Sequence, residues 1–278
     1  MDDDSTAQQR FAEAARTSPP DVALLCLLVG EVASPGRGER TVVEGQIELD
    51  RLAGRLPFDR GRTPAAWASA LARLLGEQEG FQGSHSDYQR LESSLLGEVL
   101  HRRRGLPILL SVVWLEVARR AGAPVYGVAL PGHFVVGFGD PAGEHVLVDP
   151  FAGGRVLGRE DAETLVAGAT GGGRLSPEML RPAEPLEIVQ RVLNNIRTWA
   201  AARPECTQVQ LWAVELLLLL PHRPARLRYE RARLIVDRGD FADGARELER
   251  FAVSVDRLDP EAAEAARREA LAARARLN

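Results

Sequence analysis

The chain has 278 residues, of which 45% are hydrophobic and 27% charged, and its formal net charge is -4 at pH 7. This balance is typical of one large or two small folded domains and excludes a disordered or fibrous protein. The charge predicts no nucleic-acid or lipid surface, and all 35 basic residues are arginine, which excludes phosphate-loop NTPases and Schiff-base chemistry because both need lysine.

The two cysteines, Cys26 and Cys206, are too few for a disulfide framework or a zinc knuckle, and they favour a cytoplasmic protein. Residues 1–6 carry three aspartates where a signal peptide needs positive charge. The apolar runs 22–29 and 211–220 are about half the length of a membrane span. We therefore expect neither export nor insertion into a membrane.

The first part of the chain, residues 1–80, is predicted to be a helical N-terminal segment. Asp21 is a suitable N-cap for a helix at 22–32, and Thr63 followed by Pro64 is suited to open a helix at 65–75. Cys26 lies in the apolar stretch of the first helix, where we expect a buried and unreactive thiol.

A second region, residues 81–180, is predicted to be an α+β core. Residues 108–120 are apolar on nearly every face, which predicts a helix buried on all sides, with Pro107 at its start and Gly122 just past its end. Three β-like runs follow, at 125–130, 133–138 and 145–148. We therefore expect a central helix packed on a small antiparallel sheet.

Beyond the core, residues 153–173 are Gly-rich and weakly patterned, so we place a domain boundary in or after them and before Pro185. Helical patterns continue to the end, at 194–202, 210–220, 225–237, 241–253 and 261–276. The turn at 239–241 and the exit at 258–260 resemble those of a tetratricopeptide repeat, although Pro221 to Pro260 spans 39 residues against about 34 in that repeat. Residues 185–278 are thus predicted to be a degenerate helical-repeat region that binds a protein partner, with a plain helical bundle as the alternative.

His133 and Asp149 form the constellation with the clearest chemistry. If the hairpin pivots on Pro141, these two residues face each other and Val135 faces Leu147. Directly opposed residues have Cβ atoms about 5 Å apart, so the carboxylate can bind one imidazole nitrogen and fix the tautomer, as in part of a catalytic triad. A purely structural hydrogen bond that fixes the hairpin is the alternative.

Several motifs together resemble the transglutaminase-like, papain-like core of the bacterial SirB family. They are Phe81-Gln82-Gly83, Asp87-Tyr88, Arg104-Gly105-Leu106-Pro107, Ala121-Gly122-Ala123-Pro124, Pro131-Gly132-His133-Phe134 and Val148-Asp149-Pro150-Phe151. Members of that family join such a core to a helical N-terminal segment and a C-terminal tetratricopeptide region, so the resemblance implies this organisation over about residues 11–275.

In transglutaminase-like domains that retain chemistry, the residue at the head of the core helix is the nucleophilic cysteine, followed by histidine and aspartate on the strands. By that resemblance His133 and Asp149 hold the second and third positions, and Pro107 holds the first. Proline cannot attack a carbonyl carbon, so the resemblance implies a non-catalytic protein with a regulatory or scaffolding role. Glu92 is a second departure, because family members usually carry asparagine there.

The alternative is an amide-bond hydrolase or acyltransferase in which Ser111, one helical turn beyond Pro107, or a water replaces the thiolate. Ser111 is otherwise expected to donate to a carbonyl one turn back. Cys206 has no histidine nearby in sequence. In a further reading, residues 186–278 carry the whole function and the front half is a stabilising cap. The remaining histidines show no ligand spacing, so we expect neither a metal nor a cofactor, and they are His85, His101, His145 and His222.

Overall fold

A computed structural model of the chain describes residues 2–34, 38–57, 59, 61–221 and 224–277. Over these residues the chain forms twelve α-helices and one four-stranded antiparallel sheet, which confirms the predicted α+β class with a helical C-terminal region. The helices are α1 (Asp2–Ala14), α2 (Val22–Ala33), α3 (Gly38–Gly54), α4 (Pro64–Leu71), α5 (Leu96–Arg102), α6 (Pro107–Arg120), α7 (Arg159–Thr170), α8 (Pro185–Ala201), α9 (Thr207–Leu219), α10 (Ala225–Asp237), α11 (Phe241–Val255) and α12 (Pro260–Ala275). The strands are β1 (Val125–Val128), β2 (Val135–Gly139), β3 (His145–Asp149) and β4 (Arg155–Leu157).

The residues group into two compact units. The first contains Met1–Ala7 and Thr17–Val192, and the second contains Gln8–Arg16 and Leu193–Asn278. The first unit therefore holds the sheet and helices α2 to α7, and the second holds α9 to α12. The finer division at residues 80, 180 and 185 remains a prediction.

Helix α6 is the centre of the first unit, and proline and glycine lie at its start and end as predicted. Pro107 occupies the first position of the helix, where a backbone N–H would have no acceptor within the helix, so the lack of an N–H in proline costs no hydrogen bond. Gly122 follows the end of the helix with a φ of 83°. The Trp114 side chain on α6 is fully buried, and it meets the Phe81 ring edge-on at 6.1 Å. A helix that is apolar on nearly every side is thus enclosed by protein, as predicted.

The sheet separates α6 from α7. Its strands follow the order β1-β2-β3-β4, all antiparallel, and α6 packs against β1 and β2. Side chains on the other face form a separate apolar cluster in which Val166 of α7 meets Val128, Val135 and Leu157. Both faces of the sheet are therefore covered, and the loops at the strand ends are free to carry polar groups.

Residues 153–173, which are weakly patterned in the sequence, contain regular secondary structure. Strand β4 pairs with β3, and α7 follows it directly. The Asp161 carboxylate accepts a hydrogen bond from the Gly158 backbone N–H at 2.9 Å, which caps the helix start. Ala162 and Val166 are buried at a helical spacing, in a stretch that is flanked by Gly-rich segments on both sides.

Two predicted N-caps in the first unit are confirmed. Asp21 accepts a hydrogen bond from Leu24 N at 2.9 Å, and the Thr63 hydroxyl accepts one from Ala66 N at 3.2 Å. The helix predicted at 65–75 is α4 followed by a π-helical turn, Ala72–Gln78. Such wide turns are rare, and sequence periodicity does not predict them.

The second unit follows the predicted helix order. Helices α9 to α12 lie close to the expected ranges, whereas α8 begins earlier than predicted, at Pro185. Gly239 follows α10 with a φ of 92°, and the Asp259 side chain caps α12 by accepting from Ala262 N at 3.0 Å. The core of α10, α11 and α12 consists largely of alanine, which allows these helices to pack closely.

Candidate functional site

His133 and Asp149 come together at one end of the sheet. His133 Nε2 lies 2.9 Å from Asp149 Oδ1, and the two side chains are only 10% and 6% exposed. An ionised carboxylate only accepts hydrogen bonds, so Nε2 carries the proton and Nδ1 is the acceptor in the neutral ring. Among the described residues, Nδ1 has no hydrogen-bond partner. The pair is therefore an oriented imidazole with one nitrogen available.

The register that joins the two residues differs from the predicted one. Val136 pairs with Val148 and Gly137 with Leu147, so β2 is shifted by two residues relative to a pivot at Pro141. A shift of two keeps every side chain on its own face of the sheet, whereas a shift of one would reverse them. His133 thus meets Asp149 diagonally, from the residues that precede β2, and not as a directly opposed pair.

Asp149 has a second structural task. Its Oδ1 also accepts from Phe151 N at 2.9 Å, which caps the short 3-10 turn Pro150–Ala152. The turn brings the Phe151 ring to the His133 ring, edge to face, with 5.9 Å between the centroids. The Phe151 N–H thus holds the Asp149 carboxylate in the position from which it orients the imidazole.

The Phe151 ring continues into a row of rings at the site. Tyr88 meets Phe151 edge-on at 6.1 Å, and His85 lies 6.0 Å from Tyr88. Gly83 makes room for this row, because a Cβ at that position would lie 1.9 Å from the Phe151 ring. The resemblance included Phe81-Gln82-Gly83 and Asp87-Tyr88, and the structure gives these motifs a packing role beside the His133 pair.

The start of α6 is held by the loop that precedes α5. Leu106 N, the last N–H before α6, donates to Ser93 O at 2.9 Å, and Pro107 itself is buried. The Ser93 hydroxyl donates to the Asp87 carboxylate at 3.3 Å. Glu92 is exposed beside this loop, and its side chain makes no ion pair with a described residue.

Asp87 is the buried acid on which this loop depends. It accepts from Ser84 N at 2.8 Å and from Arg104 Nη2 at 3.1 Å. Burial alone would raise the pKa of Asp87, but hydrogen bonds from Ser84 and the charge and hydrogen bond of Arg104 outweigh it and lower the pKa below its usual value.

We expect Asp87→Asn to destabilise the protein by about 2 kcal/mol at pH 7, because charge-assisted hydrogen bonds to a buried carboxylate are lost. A lowered folded-state pKa gives stability that is present above the unfolded pKa of about 3.9 and is lost as the pH falls through the folded pKa. The difference between wild type and variant should therefore shrink near pH 3 in urea unfolding. A difference that is equal at both pH values would contradict this role, and Asp50→Asn, with an exposed carboxylate, should cost less than about 1 kcal/mol.

Ser111, the predicted alternative nucleophile, and the two cysteines differ in their burial. Ser111 is fully buried and donates to Phe134 O on the adjacent chain segment at 3.2 Å, not to a carbonyl one turn back as expected. Cys26 is buried as predicted, and burial raises the pKa of its thiol, with the Glu116 and Asp21 carboxylates adding to the effect. Cys206 is a partly exposed free thiol at the start of α9, in the second unit.

No cluster of three or more metal-ligating side chains occurs in the part of the chain that the structure describes. His222 lies outside the described residues, and the prediction concerning it has no structural counterpart. None of the described helices combines the length and apolar character needed to span a bilayer.

Sequence reasoning missed one residue at the site, Arg191. This residue of α8 donates through Nη2 to Leu130 O at 2.8 Å and to His133 O at 2.7 Å, and it braces the chain segment that carries the imidazole. Arg191 is 58 residues from His133 in the sequence, and no motif in the chain connects them.

The chain is similar to known protein families over most of its length. A family profile described as the transglutaminase-like superfamily matches residues 44–194, and a tetratricopeptide repeat profile matches residues 196–278. A UPF0162 protein of Xylella fastidiosa (strain Temecula1) is 35% identical over 188 residues, which cover 66% of this chain and 66% of the relative. A UPF0162 protein of Pseudomonas aeruginosa is 34% identical over 160 residues, 57% of this chain and 58% of that protein.

These alignments span less than two thirds of the relatives' own length. Among solved structures, a crystal structure of menin aligns with 98% of this chain and 69% of its own, at a TM-score of 0.46 and 15% identity.

Proposed function

The chain belongs to the transglutaminase-like superfamily, and from this membership we propose that it is a non-catalytic protein that binds other proteins in a regulatory or scaffolding role. The observation that carries the proposal is that a buried Pro107 heads α6 in the same unit in which the His133–Asp149 pair is formed. An imidazole oriented by a carboxylate has its catalytic use in taking a proton from a nucleophile. A pyrrolidine ring offers neither a proton nor a lone pair for attack.

Two of the remaining hydroxyl and thiol side chains, Ser111 and Cys26, are poorly placed to replace a catalytic thiol. The Ser111 proton is committed to the Phe134 carbonyl, and the hydroxyl is closed off from solvent. The Cys26 thiol is buried with a raised pKa, which suppresses the reactive thiolate. These placements favour binding over catalysis.

We place the main binding surface in residues 185–278. Tetratricopeptide repeats generally mediate protein-protein interaction, through surfaces formed by stacked helices. This region also exposes large apolar side chains in Val253, Leu258 and Leu271. The SirB assignment rests on the motifs named above, and a cytoplasmic location is supported by the two free thiols.

The proposal predicts that the native protein does not react as an enzyme with active-site probes. A fluorophosphonate and iodoacetamide near neutral pH should leave Ser111 and Cys26 unlabelled, because both are buried, and label Cys206 only at the rate of an ordinary thiol. Peptide mapping by mass spectrometry measures this. Stoichiometric labelling of Ser111 or Cys206 that disappears in His133→Ala would contradict the proposal.

The second candidate is an amide-bond hydrolase or acyltransferase that uses His133 and Asp149 with a water or with Ser111. The free Nδ1 of an oriented imidazole favours it. Turnover of peptide amides that is lost in both His133→Ala and Asp149→Asn would support it, and unchanged turnover in both would exclude it. A melting curve for each variant separates lost chemistry from lost fold.

A further inference from the structure

Arg191 carries a positive charge at the His133 site without a carboxylate partner among the described residues. Its two hydrogen bonds to carbonyl groups use only Nη2. Nη1 and Nε have no partner in the described part of the chain, and they are not among its fully buried unpaired nitrogens. Glu187, one turn earlier on α8, is already paired with Arg181 at 2.7 Å.

The Arg191 guanidinium is half-buried and lies over the Phe134 ring, 5.7 Å from its centroid. Burial lowers the pKa of Arg191, although an arginine remains charged at neutral pH. Burying a charge is unfavourable unless it is paired, so an anion at Arg191 would relieve that cost. The planar guanidinium also presents its N–H groups in the geometry that matches a carboxylate.

Tyr88 supplies a second donor in the same cluster of rings. The Phe151 ring lies 6.1 Å from the Tyr88 ring and 5.9 Å from the His133 ring, and Arg191 Nη2 donates to the His133 carbonyl at 2.7 Å. Burial raises the pKa of Tyr88, the Asp149 charge adds to the rise and the Arg191 charge opposes it. The side chain is 41% exposed, and no described residue accepts its hydroxyl proton. Tyrosine and arginine are also the residue types most enriched in the centres of protein interfaces.

We infer that this site binds a carboxylate group of a partner polypeptide, through the Arg191 guanidinium and the Tyr88 hydroxyl. One positive charge with one neutral donor matches a singly charged carboxylate. A phosphate dianion would bring a second negative charge toward the nearby Asp149. The inference deepens the proposed function, because it names the chemistry by which a protein partner is held at the former catalytic site.

The test is an NMR titration of the full chain with N-acetylglycine, which carries a peptide-like carboxylate, and with the neutral N-acetylglycinamide. We expect saturable shifts of the Arg191 side-chain signal with N-acetylglycine, at a Kd of about millimolar order, and none with the amide. Arg191→Gln should weaken binding by about tenfold or more, since a charge-assisted hydrogen bond is lost. Arg226→Gln removes an exposed arginine of α10 and is the matched control, with unchanged binding expected.

Tyr88→Phe keeps the result interpretable if Arg191→Gln loosens the His133 segment, because the fold does not depend on this exposed hydroxyl. We expect it to weaken binding by about threefold. Wild-type protein that shows no saturable shift, a Tyr88→Phe variant with unchanged affinity, or a stronger response to inorganic phosphate than to N-acetylglycine would overturn the inference. Turnover of a peptide substrate would contradict the proposed non-catalytic function, but it would not contradict carboxylate binding at Arg191 and Tyr88.

Discussion

Pro107→Cys should create a reactive thiol whose rate of alkylation depends on His133. An ordinary thiol with a pKa of about 8.5 is only about 1% ionised at pH 6.5, whereas a thiol beside a protonated histidine at a helix start is ionised to a much larger extent. We therefore expect iodoacetamide to react at least about tenfold faster at position 107 than in the Pro107→Cys/His133→Ala double variant. The measurement is the alkylation rate at pH 6.5 by intact mass, in a Cys206→Ser background that removes the partly exposed native thiol.

Two controls define what this result means. Ser111→Cys in the same background should react more slowly than Pro107→Cys, because Ser111 lies in the second turn of α6, with no exposed surface and its side chain against the Phe134 carbonyl, whereas position 107 is at the helix start. Pro107→Ala should cost about 1 kcal/mol or less, since proline at a first helical position contributes mainly through the unfolded chain. Equal alkylation rates with and without His133 would mean that the imidazole does not activate a thiol at position 107. The proposal that Pro107 occupies the nucleophile position would then be wrong.

Gly76→Ala is expected to be the most destabilising of the small substitutions near the site. A Cβ at Gly76 would lie 2.0 Å from Gly153 O. This oxygen belongs to the backbone, and so does the Cα that would carry the new Cβ, so neither atom can move aside easily. Gly153 has a φ of 67° and follows the turn that Asp149 caps, so the displacement would reach the His133 pair. We expect a loss of about 3 kcal/mol, at the upper end of overpacking effects.

Urea unfolding of Gly76→Ala measures this loss, and Gly30→Ala is its matched control. A Cβ at Gly30, in the interior of α2, would meet no atom within 4 Å. That variant should be stabilised by about 0.5 to 1 kcal/mol, because alanine is the better helix former. A Gly76→Ala protein as stable as wild type would show that the contact with Gly153 does not constrain the site.

The sequence predicted those parts of the fold that depend on neighbours along the chain. Local signals mark where helices begin and end, and the structure confirms them. They are Pro107 and Gly122 at the two ends of α6, and the N-caps Asp21 and Thr63. Helix α7 was missed because it has only two buried positions and lies between Gly-rich segments. In addition, Gly158 stands at its N-cap, where serine or threonine is more usual, and the capping carboxylate is that of Asp161.

Features of the site that depend on distant contacts were less predictable. The hairpin register was wrong by two residues because the loop between β2 and β3 spans 140–144 and is closed by the bond from Asp140 N to Glu144 O, at 3.0 Å. The pairing of His133 with Asp149 survived that error, since the two faces of a strand alternate with a period of two. Arg191 could not be found at all, because only the path of α8 brings it to the His133 carbonyl.

The most direct test of the proposal that Pro107 leaves the chain without a nucleophile is the mass of the intact wild-type protein during incubation with an activated acyl donor such as p-nitrophenyl acetate. An enzyme of this superfamily would pass through an acyl intermediate on its own side chain. We predict that no stoichiometric acyl adduct accumulates on the native chain. A one-to-one adduct that forms on the wild type and is absent from His133→Ala would contradict the account.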